Sequence, residues 1–272
     1  MTVLSDRSLL RIEGADAEHL IDRLVTSRTP VAGDTPATAS ALLTPQGKIL
    51  FDFLLVADDG GYWLDVRSDL VADLLKRLTF YKLRADVTLT DRSSDVSVSV
   101  SDEPVHDAIL TYADPRAASL GHRAIVAKVT EADPSAERAY SARRIAAGIA
   151  EGGADFSLGD IFPHDAALDL IGAVDFRKGC FVGQEVVSRA QHRGTQRRRV
   201  LIASGGALRS GNEITAGGKP AGTLGTVIEG AALAIARLDR IANAQTASQP
   251  VLAGDSAVSL SVPPYATYSL GD

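Results

Sequence analysis

Lys178-Gly179-Cys180-Phe181-Val182-Gly183-Gln184-Glu185 holds the only cysteine of the chain. A thiol set between a lysine and two glycines is a candidate for a reactive or ligand-contacting group. Gly183 is suited to end a loop and cap a short helix starting at Gln184, with Glu185 near the positive end of the helix dipole. Cys180 would then lie close to a helix N-terminus and beside Lys178, both of which favour a thiolate. Gly179 would permit a tight turn or close approach of a ligand. The competing reading is a buried cysteine packed as a small hydrophobe, which the residue types alone favour.

Two further groups could do chemistry. Arg189, His192, Arg193, Arg197, Arg198 and Arg199 form a basic segment in an acidic protein of net charge −6. Such a run can hold a phosphate, a polyglutamate tail or RNA by charge-assisted bonds, or it can be a solvated connector between domains. No aromatics are interleaved, which disfavours base stacking. In Phe162-Pro163-His164-Asp165, the carboxylate could take two parallel hydrogen bonds from a heterocycle. A helix N-cap before Ala166-Ala167-Leu168 is the more ordinary expectation. The five histidines are scattered without metal-ligand spacing, and there is no phosphate loop and no GxSxG, so no metal site is expected.

The elements that must position these groups read as follows. A short apolar run at Ser8 to Ile12 leads to a helix capped by Asp16, with Leu20, Ile21, Leu24 and Val25 on one face, then to a loop from Thr26 to Thr38. Thr44-Pro45-Gln46-Gly47-Lys48 is a turn between two apolar runs, hence a hairpin. A third strand at Tyr62 to Val66 and a helix capped by Ser68 and Asp69, with Leu70, Leu74, Leu75 and Leu78 inward, complete a meander covered on one face. Asp86 to Thr90 and Val96 to Val100 alternate as half-buried strands. Ile109 to Tyr112 and Arg123 to Val129 read as further strands, and Asp133-Pro134 opens a helix through Ala146. The irregular mixture favours α+β over a doubly wound sheet. After Arg199, short strands between frequent glycines predict a small β-barrel or sandwich as a separate C-terminal domain.

Composition bounds the rest. Hydrophobic residues make up 45% and charged residues 23% of 272 positions, as in ordinary globular proteins. One cysteine excludes an internal disulfide and cannot alone hold a cluster. The N-terminus lacks a signal-peptide pattern and no apolar run reaches membrane length. A cytoplasmic protein without a membrane partner is expected.

The K-G-C-[aromatic]-x-G-Q-E pattern at 178–185 resembles the signature of the YgfZ / IBA57-type folate-binding proteins, within the superfamily of the glycine cleavage T-protein, an aminomethyltransferase. Ala41 to Lys48, Phe80-Tyr81-Lys82-Leu83-Arg84-Ala85-Asp86-Val87, Ile149 to Asp155, Phe162 to Asp165 and Ala234 to Arg240 are similar to that family in the same order. The resemblance implies two interleaved ferredoxin-like α+β subdomains over residues 1–195 and a C-terminal β-barrel over 196–272, around a central folate channel. It implies a tetrahydrofolate-binding accessory protein, expected as a monomer. Its role would be to support assembly or repair of iron–sulfur clusters with cluster-assembly proteins and client enzymes, such as radical-SAM proteins that modify tRNA. Cys180 matches the activity-linked cysteine, with Lys178, Gly179, Gly183, Gln184 and Glu185 around it. Asp165 stands where related folate proteins place a pteridine-binding Glu, one methylene longer. Arg189 and Arg193 become a candidate channel edge. A glycine-cleavage aminomethyltransferase and an RNA-contacting module are the alternatives.

Overall fold

Gly47 adopts a left-handed φ of +79°, and this lets the chain reverse between two apolar runs. The Thr44 N–H donates to the Lys48 carbonyl at 2.8 Å, and the Gly47 N–H donates to the Thr44 carbonyl at 2.8 Å. The computed structural model describes residues 1–33, 36–194 and 196–270. Part of the expected loop, at Asp34 and Thr35, and the expected domain boundary at Thr195 lie outside the described residues.

Strands β1 (Thr2–Val3) and β2 (Arg7–Glu13) lead into α1 (Ala17–Leu24). The hairpin of β3 (Ala37–Leu43) and β4 (Ile49–Asp58) continues into β5 (Gly61–Arg67) and α2 (Val71–Lys82). Next come β6 (Thr88–Asp91), β7 (Val96–Ser101), β8 (Leu110–Ala113), β9 (His122–Ala127), α3 (Pro134–Ala147) and α4 (Gln184–Arg193). The C-terminal part holds β10 (Arg198–Ser204), β11 (Glu213–Ala216), β12 (Lys219–Ile228), β13 (Ala231–Arg237), α5 (Leu238–Thr246), β14 (Val251–Ala253), β15 (Ser256–Ala257) and β16 (Ser259–Ser261).

These strands form three antiparallel sheets in the orders β3-β4-β5-β2-β6, β1-β7-β9-β8 and β15-β14-β11-β12-β13-β10-β16. The first two interleave, because β1 pairs with β7 while the adjacent β2 pairs with β5 and β6. In the third, the outermost strands β15 and β16 are one residue apart in sequence. The sheet must therefore curl back on itself, giving a nearly closed barrel. The fold is the expected α+β architecture.

Three local expectations are corrected. The meander is covered on both faces. Leu9, Leu54, Val56 and Trp63 join one core, while Leu10, Phe53, Leu55 and Leu64 join another that α1 and α2 cover. Consecutive apolar residues such as Leu54-Leu55-Val56 are the signature of a strand buried on both sides. In β7 the serines face inward as well, so Val96 to Val100 are all buried. Asp16 precedes α1 without capping it. Its carboxylate instead accepts the Asp86 N–H at 2.8 Å, so it ties the helix start to the segment before β6. Asp133 caps α3 as expected, accepting from the Ser135 and Ala136 N–H groups.

Candidate functional site

The cysteine loop is built by two anchors. Lys178, with a side chain only 2% exposed, donates to the carbonyls of Asp22, Val25 and Ser27 at 2.7, 3.0 and 2.7 Å. Its three donors thus satisfy carbonyls at and just beyond the end of α1, where a cation also complements the helix dipole. Burial pushes the ammonium pKa down, and the pairing with Asp22 opposes this. The second anchor is Gly183, whose φ of +80° starts α4. A Cβ there would meet the Thr44 carbonyl at 2.6 Å and Gly47 Cα at 2.9 Å. The two glycine turns, 44–48 and 178–184, therefore pack backbone to backbone.

Between the anchors, Cys180 is exposed, so the expectation of a buried, inert thiol is set aside. Gly179 borders open space: an added Cβ would touch nothing within 4 Å. Gln184 opens α4, with its N–H on the Phe181 carbonyl at 3.2 Å. Glu185 pairs with Arg189 at 2.7 Å on the exposed helix surface, and Arg193 lies exposed in the last turn.

Asp165 belongs to a different place. It caps no helix, because residues 163–172 form successive turns with Ala167 at φ +55°. Its Oδ2 accepts the Phe162 N–H at 3.0 Å while its own N–H donates to the Phe162 carbonyl at 2.9 Å, closing the turn on itself. Burial pushes its carboxyl up, against the Phe162 N–H and the charges of Arg198, Lys48 and His164. Asp165 shares a cleft of about 540 Å³ with Lys48, Phe162, Arg197 and Arg198. Arg198, Gly222 and Thr223 also wall a second cavity of about 410 Å³ beside Asp155 and Phe156. The structure thus joins Asp165 to Arg197 and Arg198, whereas the cysteine loop, Glu185, Arg189 and Arg193 line neither cavity. His164 bridges the regions: its Nε2 lies 3.0 Å from Gln191 Oε1 on α4, and its carbonyl accepts from Arg199 at 2.8 Å.

Sequence reasoning missed a buried ionic network where the sheets meet. Arg7 pairs with Asp65 at 2.7 Å, and Arg116 pairs with Asp114 at 2.8 Å and with Glu151 at 2.5 Å. Arg144 joins Asp155, whose other oxygen accepts the Thr226 N–H of the barrel at 2.8 Å. Burial alone would raise the Glu151 carboxyl, but Arg144, Arg116 and Arg7 hold it well below the usual range. Next to this network, Arg7, Arg116, Ser40 and Asp52 border a central cavity of about 20 Å³, enough for a water or two. Burial pushes Asp52 up, and the Gly152 N–H, which it accepts at 3.0 Å, opposes this. A charge inside the apolar run Leu50-Phe51-Asp52-Phe53-Leu54 was the available signal. Among the described residues, no group of three or more His, Cys, Asp or Glu could hold a metal ion.

Comparison with known proteins accords with this architecture. Residues 196–268 match the CAF17 C-terminal beta-barrel domain. An IBA57 homologue from Chaetomium globosum, named as a mitochondrial iron-sulfur cluster assembly factor, is 37% identical in an alignment that covers 73% of this chain and 54% of that protein. The chain is similar to the IBA57 proteins over about three quarters of its length. Human IBA57 is 28% identical over 73% of this chain and 64% of its own length. The chain spans about half the length of the first of these relatives. The crystal structure of glycine cleavage system aminomethyltransferase T from Bartonella henselae superposes with a TM-score of 0.69, covering 97% of this chain and 85% of that one at 15% identity, which shows a shared fold. The expected cytoplasmic location is corrected by the IBA57 relatives, which are named as mitochondrial; the absence of a signal-peptide pattern did not bear on that distinction.

Proposed function

We propose that the protein supports iron–sulfur cluster assembly or repair, with residues 1–195 forming a folate-binding region and 196–272 a barrel domain. The observation that carries the reading is the 37% identity to an IBA57 assembly factor along most of the chain. Tetrahydrofolate is the proposed cofactor, and the cleft beside Asp165 fits its chemistry. A cleft of about 540 Å³ is in the range of small-molecule sites. Asp165 offers a buried carboxylate to a heterocycle, and Arg197 and Arg198, with Lys48 already seated over the Phe162 ring at 3.9 Å, offer positive charge for a glutamate tail. The central cavity, at about 20 Å³, does not accommodate a pteridine.

Cys180 would act elsewhere, at the exposed loop, toward a partner protein. One thiol cannot hold a cluster alone, so contact with a cluster would be shared with that partner. Tetrahydrofolate titration should give binding that Arg198→Ala and Asp165→Asn each weaken about 10-fold, with Cys180→Ala unchanged. In cells lacking the gene, activities of iron–sulfur enzymes and tRNA methylthiolation should fall under oxidative stress, and Cys180→Ala should not restore them. Unchanged enzyme activities after deletion would sink the assembly reading, and no folate binding by the wild type would sink the cofactor.

A further inference from the structure

The outward face of α2 and the residue after it combine features that a free surface has no reason to keep. Phe80 is 69% exposed and Leu83 83% exposed. Leu83 ends the helix with φ +49° and ψ −108°, a backbone conformation unfavourable for any residue with a Cβ and one that tertiary constraint must hold. The result is a leucine side chain set in solvent on a strained backbone. Lys76 and Arg77 lie on the same helix, and Lys82 and Arg84 flank Leu83 in sequence. Lys76 and Arg77 are four and three residues before Phe80, so they share its helix face. Among the described residues none of these four cations has an ion-pair partner, in a chain whose other arginines are mostly paired and whose net charge is −6.

We infer that Phe80 and Leu83, with Lys76 and Arg77 on the Phe80 face and Lys82 and Arg84 next to Leu83 in the chain, form a docking surface for a protein that presents an apolar pocket rimmed by carboxylates. Two apolar anchors within a rim of opposite charge is the usual anatomy of a specific contact. An anionic membrane fits less well. The apolar stripe of α2, Val71, Leu74 and Leu78, is buried in the core, so the helix cannot lie with that face in lipid. A leucine set on a strained backbone serves shape recognition, which lipid does not require. The surface is separate from the Asp165 cleft, so it stands or falls independently of folate binding.

The test uses the full chain carrying benzoylphenylalanine at Phe80, photo-crosslinked in its source cells, with the captured protein then purified as the binding probe. Leu83→Gly should melt at a higher temperature than the wild type, because glycine relieves the positive φ, yet bind that probe at least about 10-fold more weakly. The double variant Lys82→Glu/Arg84→Glu should also weaken binding, and lysines placed at carboxylates of the crosslinked face should restore it. Binding unaffected by either variant overturns the inference. So does a crosslink at Phe80 no stronger than at an exposed position outside the patch. Flotation with phosphatidylglycerol–phosphatidylcholine vesicles that is lost in Phe80→Ala would assign the patch to membrane instead.

Discussion

At the scale of single residues, the lysine of the K-G-C segment is a fastening rather than a ligand group. Its ammonium donates to the carbonyls of Asp22, Val25 and Ser27, at and just beyond the end of α1, and pairs with the Asp22 carboxylate at 3.1 Å. In Lys178→Met those carbonyls would lose their charged partner in a buried place. The expected cost is about 2–3 kcal/mol, measured by urea unfolding, with faster amide exchange across 179–182. An unchanged midpoint would show that water replaces the ammonium without loss. The sequence marked Lys178 as a neighbour able to acidify the thiol. Its real partners lie about 150 positions away, a distance that no local pattern encodes. Exposure of Cys180 was equally illegible, since residue type alone points to burial.

At the scale of elements, most of the framework could be read directly. Proline–glycine chemistry located the 44–48 turn, Asp133-Pro134 located the start of α3, and glycine density located the barrel. These are local signals, each with a steric or hydrogen-bonding cause. What escaped was how elements meet. The packing of Gly183 on Gly47 joins two segments that the sequence could only treat as separate. Gly183→Ala puts a methyl 2.6 Å from the Thr44 carbonyl and adds a side chain at positive φ. The expected destabilisation is about 1–3 kcal/mol, with loss of amide protection at Gly47 in hydrogen exchange. If Gly47 stays protected, the two turns are held by something other than this contact. Likewise Asp165 was legible as a noteworthy carboxylate, but not its separation from the cysteine loop, which depends on the turns between 163 and 172.

At the scale of the whole molecule, the ionic network binds both α+β sheets to the barrel, and its titration should govern acid stability. Glu151 and Asp114 have depressed carboxyl pKa values in the folded protein, because their arginine partners outweigh burial. The stability they contribute is therefore present above the ordinary carboxylate range and is lost as pH falls through it and below. Asp52 works the other way: its raised pKa makes its share of stability fall as pH rises above the ordinary aspartate value. In Glu151→Gln, the neutral-pH midpoint in urea should drop by the equivalent of about 3 kcal/mol, and stability should vary less steeply between pH 5 and pH 3 (roughly the window of carboxylate titration). An unaltered slope would place the acid sensitivity outside the network. Arg198 stands on the rim of both the Asp165 cleft and the cavity beside Asp155. If the proposed folate sits in the Asp165 cleft, a ligand long enough to pass Arg198 would make any second contact at high effective concentration. Retention would then rise stepwise with ligand length and number of carboxylates, making the pair of chambers a ruler as well as a receptacle.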